Sequence, residues 1–508
     1  MLALASLACQ PPDPPRSLRG PEASWPVARA PYVREIRWTL DRPVTVTGTA
    51  TDGQHPRSFE VRGDGEVVVP LIGLYADATW TVELTATDDA GEVLRAEPLT
   101  FTTDPLPELF PSAEMRVLEL EQMQPGYTLM SVASTGVAAY VVVVDEAGEV
   151  AWLFDGEVMQ SFEALPTESG VRMLFGASLV EMDWMGRITR RLESVGPPIE
   201  APGEWVPGAI GFNHDFHLSD RGTWLVIGKQ VGNRAAFPAS YDDPTAVAPA
   251  TLFSDVVLEI DPEAVEVVRE WSLFDHLDPD RIAYGSLDHG ALGLDWTHVN
   301  GVSERGDEWL VSARHQDAVF LVDARTGGID FILGNPDNWS APWSDLLLEP
   351  VGQPFAWPYH QHGAKWLTGD RVLMFDNGNF QASPFTTQVQ VPNSDIGSRV
   401  VQYQVDRAAR TVRQEWSFEL EPTVFSGAMG DADPLPNGHV LGTFAYVLVE
   451  GGVQNSGLDR AGPSGQVVEF DPTTGEVVWH LDLWAPAGEG PTAGWHVFRA
   501  ERFTSFGD

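Results

Sequence analysis

At 508 residues, 43% apolar and 20% charged, the chain has a globular composition and is long enough for two cores. Acids outnumber bases 73 to 31, a formal net charge of −42, and only Lys229 and Lys365 are lysines. A surface of that sign repels nucleic-acid phosphates and anionic headgroups, which argues against nucleic acid as a partner and fits a solubility or salt-tolerance adaptation.

The single cysteine, Cys9, ends a short apolar run, Ser6-Leu7-Ala8-Cys9, followed at once by Pro and polar residues. The segment resembles a bacterial lipoprotein signal, with an ordinary secretory leader as the simpler alternative. Residues 1–26 are therefore expected to be a lipoprotein-type signal and Pro-rich tether, lipidated at Cys9. That places the protein in the periplasm or at the cell surface, touching the membrane only through its anchor. A lone thiol forms no intramolecular disulfide and no Cys-ligated zinc site. No stretch of 18 apolar residues follows it.

Residues 27–106 alternate in short runs such as Val44-Thr45-Val46-Thr47 and Trp80-Thr81-Val82-Glu83-Leu84. Turn signals at Asp52-Gly53 and Gly63-Asp64-Gly65 separate them. This spacing predicts a small immunoglobulin-like or fibronectin-like β-sandwich. Asp104-Pro105-Leu106-Pro107 reads as the linker after it.

Residues 107–508 carry a weak repeat in which a buried strand, an Asp/Gly turn and a second strand recur six times. The second strands begin near Val150, Ile188, Glu266, Ile329, Thr411 and Val477. Such hairpins cannot bury both faces alone, and radial stacking is the economical solution. The expectation is an all-β protein whose second domain is a six-bladed β-propeller. Helical periodicity is confined to short pieces near 273–282 and 343–348.

Three clusters of polar residues lie just ahead of predicted strands. They are Asn213-His214-Asp215-Phe216-His217, then Asp295-Trp296-Thr297-His298-Val299-Asn300 with Arg314-His315, then His360-Gln361-His362-Gly363 with Asp376-Asn377-Gly378. A histidine beside Asp or Asn in a loop is, taken singly, more often a satisfied turn residue than a functional one. Three clusters in corresponding repeat positions, one with an arginine, shift that balance. Radial stacking would make them converge on one axial pocket. His55, His276, His439 and His480 have no such context and read as surface or packing residues.

The segments NHDFHLSDRGTWLV, DWTHVNGV, LVSARHQDAVFLVD, HQHGAKWL and VLMFDNGN resemble the motifs of the bacterial aryl-sulfate sulfotransferases. The resemblance runs from about Met115 onward. It implies a nucleotide-independent propeller enzyme acting on phenols and aryl sulfates, with no cofactor and no metal, and it leaves a homodimer open. By that resemblance His362 is the nucleophile that becomes sulfated. His214, His298 and Arg314 surround the sulfuryl and phenolic oxygens, and Asn300, Thr443 and His360 make further substrate contacts. His217, His315 and His360 are near neighbours of the assigned positions. The chemistry is consistent with this. A sulfate monoester spreads one charge over three oxygens in a loose transition state, so positioning and cationic donors dominate.

Two other readings remain open at this stage. His360 and His362, two apart in a strand, would share a face. With His214, His298 and Asp215 they would make a divalent-metal hydrolase site. A non-catalytic cell-surface propeller is the second, since the fold does not imply an activity.

Overall fold

The computed structural model describes residues 13–194, 204–206, 210–290, 292–488 and 490–507. Cys9 lies outside the described residues. The protein is all-β, its strands almost all joined by antiparallel pairing. The short helical pieces are present: a single α-turn at Leu273–His276 and a 3-10 turn at Trp343–Leu346. Pro279 and extended Leu277 stop the first of them. No helix among the described residues is long and apolar enough to cross a membrane.

The chain divides into two compact units. One holds residues 1–108 and two short later segments. It has a three-stranded sheet, Ser17–Ser24, Arg34–Leu40 and Glu66–Leu71, and a second sheet built around Val44–Thr51 and Thr79–Asp88. Alternate residues of these strands, Ile36, Trp38, Val44, Val46, Val67, Val69, Trp80 and Val82, are buried, as period-2 patterning requires. The stretch expected to be a tether differs in part. Ser17–Ser24 pairs along Arg34–Leu40, because backbone pairing at a sheet edge asks little of side chains, nearly all of them here exposed.

The second unit contains six sheets among the described residues, and each of the six recurrent hairpins lies in a different one. Four chain-ordered strands form the third sheet: Asn213–Leu218, Trp224–Pro238, Val247–Asp261 and Glu266–Ser272. The fourth is Val299–Arg305, Glu308–Ala313, Ala318–Asp323 and Ile329–Gly334. In the fifth, His362–Leu367, Arg371–Asp376, Arg399–Asp406 and Thr411–Glu419 repeat the order. Two of the pairings that depart from chain order join distant ends of this unit. The strand His496–Phe503 pairs with Tyr127–Ser134 in the first sheet, and Ser112–Leu118 pairs with Val477–Trp484 in the sixth.

Middle strands read as continuous apolar runs because both faces are buried, each against a different sheet. Trp224, Val226 and Leu258 pack with Leu174, Leu179 and Leu192 of the second sheet. Their neighbours Leu225, Ile227 and Val257 pack instead with Val311, Phe320 and Val322 of the fourth. The same alternation recurs at Val372 and Met374 against Leu373 and Phe375. Sheet faces are thus joined in series by cores that interdigitate at single-residue period. Consecutive first strands also touch one another: Ser161–Thr167, Asn213–Leu218, Val299–Arg305, His362–Leu367, Asp431–Pro434, His496–Phe503, and back to Ser161–Thr167.

Candidate active site

The first strands of the third, fourth and fifth sheets are entered through a distorted turn. His214, His298 and His360 all have left-handed backbones, with φ of 59°, 47° and 56°. A residue with a Cβ adopts that conformation at a cost of about 1–3 kcal/mol unless its surroundings fix it, and such residues gather at functional sites. Each is followed by a register shift, Asn213/Phe216, Val299/Gly301 and His362/Lys365, so each strand starts on a bulge that re-aims its side chains. Bulge geometry also resolves a repeat equivalence that sequence reading had blurred. His360 corresponds to His298, each three residues before a glycine, Gly363 and Gly301. His362 therefore occupies the position of Asn300.

The rings form a chain. His214 meets His298 at 4.7 Å between centroids, His298 meets His315 at 4.5 Å, and His315 meets His360 at 5.8 Å. Phe162 and Phe498 flank His214 at 5.8 and 6.2 Å. Burial holds His214, His298, His360 and His362 all well below the usual imidazole range; neighbouring histidines reinforce this for His214 and His298, and Arg314 does so for the last three. All four are neutral at neutral pH. Burial also lowers Arg314 to about 10, which leaves it cationic there.

Each group is oriented by a partner. Asp295 Oδ2 lies 2.5 Å from His298 Nδ1, which leaves Nε2 of that ring for chemistry. Asp255, itself paired with Lys229 at 2.6 Å, accepts Thr297 Oγ1 and the Val299 amide and so fixes both flanks of His298. Arg314 donates from Nη1 to His315 Nε2 at 2.6 Å and from Nη2 to the Gly427 carbonyl at 3.3 Å. His315 Nδ1 in turn faces the Asp295 carbonyl at 2.6 Å.

His362 is the most constrained. Its Nδ1 faces Asn377 Oδ1 at 2.7 Å and the His360 carbonyl at 3.1 Å, so the proton sits on Nδ1. Asn377 cannot flip, because its Nδ2 donates to the Ser426 and Met429 carbonyls at 2.8 and 2.9 Å. The Nε2 lone pair is left facing inward, met only by the Met429 amide at 3.2 Å.

The remaining expected residues divide. Asn300 is fully buried, donates to the Gln361 carbonyl at 2.8 Å and keeps Oδ1 without a partner, directly beneath the His362 turn. His360 is locked by Asp317, which accepts both its amide and its Nδ1. Thr443 is not brought to the histidines by any described hydrogen bond. It is fully buried in Val440–Glu450 with Oγ1 unpartnered, opposite Asp431 of a charged cluster that abuts Gly363. That cluster lies at a cavity of about 360 Å³ lined by Glu163, Asp215, His217, Lys365, Arg499 and Glu501, among others. Arg499 bonds Asp215 at 2.8 Å and also Glu163, and Lys365 bonds Asp431 at 3.0 Å and also Asp433. His217 faces this end of the strand, away from the ring chain.

The metal-hydrolase set does not assemble as expected. Asp215 is committed to Arg499 and to the Val302 amide, so it offers nothing to the histidines. Asp295, His298 and His315 do bring ligand atoms within 4.8 Å of one another, but Nε2 of His315 is taken by Arg314. A guanidinium at that distance disfavours a second cation.

Sequence reading missed Asp295 and Asn377 as orienting groups, although both stood inside the quoted clusters. It also missed the Met429 amide, which had no sequence signal.

Comparison with known proteins now bears on this geometry. The family model described as arylsulfotransferase (ASST) matches residues 115–485. The chain belongs to the arylsulfotransferase family. Every histidine of the ring chain and Arg314 fall within the matched span. The arylsulfate sulfotransferase AssT of Escherichia coli O6:H1 is 26% identical over 348 residues, covering 56% of this chain and 53% of that protein. The chain therefore matches about half the length of that curated relative. Among solved structures, the Neurospora crassa Pan2 WD40 domain aligns at a TM-score of 0.33 and 10% identity, covering 78% of this chain and 92% of that one. A Synechocystis apocarotenoid oxygenase aligns at 0.30 and 12%, covering 97% of each. At such scores neither likeness carries weight for this member of the arylsulfotransferase family.

One expectation follows directly from the electrostatics. A nucleophilic imidazole is inactive when protonated, and burial lowers the His362 value far below 6.5. With His362 as nucleophile, the acid limb of kcat/KM should then lie below the ordinary imidazole value of about 6.5. A pH–rate profile with an aryl sulfate measures it, and a limb at or above 6.5 would contradict the assignment.

Proposed function

We propose that this arylsulfotransferase moves a sulfuryl group from an aryl sulfate to a phenol through a sulfohistidine on His362. The observation that carries the reading is the tautomer of His362 fixed by Asn377, which puts the lone pair on Nε2 of a ring close enough to Arg314, His298 and His214 for their charges to act on one another. In the first transfer, Nε2 attacks sulfur, the sulfur–aryl oxygen bond breaks, and the phenolate departs against Arg314. In the second, an acceptor phenol attacks sulfur, its proton passes to His298 Nε2, and the sulfur–nitrogen bond breaks. His298, neutral in the resting enzyme, then gives that proton up to solvent, from which the released phenolate takes one. Asp295 stabilises the transient imidazolium.

Asn377 explains why the second transfer proceeds. Nδ1 keeps its proton because a neutral amide oxygen accepts from it without drawing it away. The sulfated ring then stays cationic and a good leaving group. Asn377→Asp should let the first transfer proceed and slow the second by about 10²-fold, the scale of disturbing a group that orients a reactive one. Single-turnover measurement of adduct formation and decay separates the two. Equal slowing of both would argue that Asn377 serves only for packing.

The same reading takes the six sheets as blades of a propeller, supported by their serial cores and touching first strands. It takes the sheets of the first unit as a sandwich. Export, with lipidation at Cys9, rests on sequence alone. The decisive assay is transfer from 4-nitrophenyl sulfate with and without added phenol. Release of nitrophenol that phenol does not accelerate, with no phenyl sulfate formed, would refute the transferase.

A further inference from the structure

The histidines and Arg314 account for the sulfuryl oxygens, yet an aryl substrate also presents a flat apolar ring. We propose that Tyr284 and Phe380 form a wall that receives this ring, with Tyr241 as the residue that positions the wall. The inference rests on the sulfuryl-transfer reading above and names its selectivity element.

The ring chain does not stop at His360. Phe380 meets His360 edge-on, with centroids 5.2 Å apart at 67°. Tyr284 lies 5.1 Å beyond Phe380, and Tyr241 lies 5.0 Å beyond Tyr284. All three are half-buried, so part of each ring faces solvent. Aromatic partners prefer centroid separations of about 4.5–7 Å, so a phenyl or naphthyl ring can extend this series. Phe380 and Gln381 hold left-handed backbones, φ of 65° and 48°, disfavoured for residues of their size. The turn is pinned by the Val391 amide donating to the Phe380 carbonyl at 2.8 Å and by Asn379 Nδ2 donating to the Gly427 carbonyl at 3.0 Å. That carbonyl is the one Arg314 uses.

Three separate connections meet at Tyr241, on the turn between the two 15-residue strands of the third sheet. Its hydroxyl accepts the amides of Gly285 and Leu287, each at 3.0 Å, and its carbonyl accepts the Phe385 amide at 2.9 Å. Gly285, at φ of 95°, lies so close to His315 that a Cβ would stand 2.5 Å from the ring. The Tyr241 hydroxyl thus fixes the backbone carrying Tyr284 and the cover of His315, and its carbonyl holds the loop that follows Phe380. In the sequence Tyr241 and Phe380 stand 139 positions apart.

The test measures KM and kcat for phenol and 2-naphthol as acceptors from 4-nitrophenyl sulfate, together with the Kd of 2-naphthol by calorimetry. Phe380→Ala and Tyr284→Ala should each raise the KM and Kd of naphthol about tenfold, with kcat within about threefold and a smaller effect on phenol. Phe380→Tyr should restore both constants. Tyr241→Phe keeps its ring but releases two amides, and should raise both constants without lowering the His362 adduct at saturating donor. Unchanged KM and Kd in both alanine variants would overturn the wall. Should those variants melt early, Phe380→Leu and Tyr284→Leu keep volume, lose the ring and decide the point. A wild-type protein that transfers nothing, yet whose naphthol Kd responds to these variants, would sink the transferase reading and leave the wall standing.

Discussion

Replacing His362 with Asn is expected to abolish turnover, by about 10⁴-fold or more, the scale of losing a nucleophile. Incubation of the enzyme with an aryl sulfate alone, followed by a quench and mass spectrometry, should find a sulfuryl adduct on the peptide carrying His362. The adduct should vanish in His362→Asn. His360 lies on the same peptide, so His360→Asn is the necessary companion. It removes the Nδ1 contact with Asp317 at 2.8 Å, keeps the backbone amide contact, and should lower the rate while leaving the adduct in place. Retained turnover in His362→Asn, with loss of the adduct in His360→Asn, would move the nucleophile to His360.

The second large effect belongs to Arg314→Lys. Both cations carry one charge, but guanidinium donors have a fixed planar fork and an ammonium is a point charge. In this protein Nη1 is committed to His315 and Nη2 to the Gly427 carbonyl, so the plane is set before substrate arrives. Lysine would keep neither contact in that geometry and would loosen His315 as well. A fall in kcat of about 10²–10³-fold is expected, as for removal of a preorganised donor to a developing charge. Steady-state kinetics with saturating donor and acceptor measure it. Full turnover in Arg314→Lys would make Arg314 a distant charge only.

Much of the fold was legible because its signals are local. A strand, an Asp/Gly turn and a strand sit within some twenty residues, and alternation of apolar side chains needs no distant partner to be read. The candidate site was legible where the histidines stand in the sequence beside their own strand starts. His214, His298, Arg314, His360 and His362 are brought together accordingly. What escaped depends on contacts between distant loops. Asp295 and Asn377 look like ordinary turn residues until the His298 and His362 rings are placed against them. The exchange of equivalent positions between His360 and His362 was written in the spacing to Gly301 and Gly363, but only the bulges make that spacing meaningful.

The pairing of Tyr127–Ser134 with His496–Phe503 has a consequence for how the protein is made. Ala133 and His496 are partners, 496 − 133 = 363 positions apart. Bringing such distant segments together costs about 5 kcal/mol of chain entropy before any contact repays it. The same late strand carries Arg499, the cation bound to Glu163 and Asp215. A nascent chain still on the ribosome therefore holds those carboxylates without their counter-ion, and the first sheet without its edge partner. Sheets two to five can stack as they emerge, whereas the first and sixth must wait for residues 477–503. Folding should accordingly include a slow, late docking step, as expected for a topology dominated by non-local strand pairs. Until that step the protein exposes an unpaired strand to aggregation or to a chaperone.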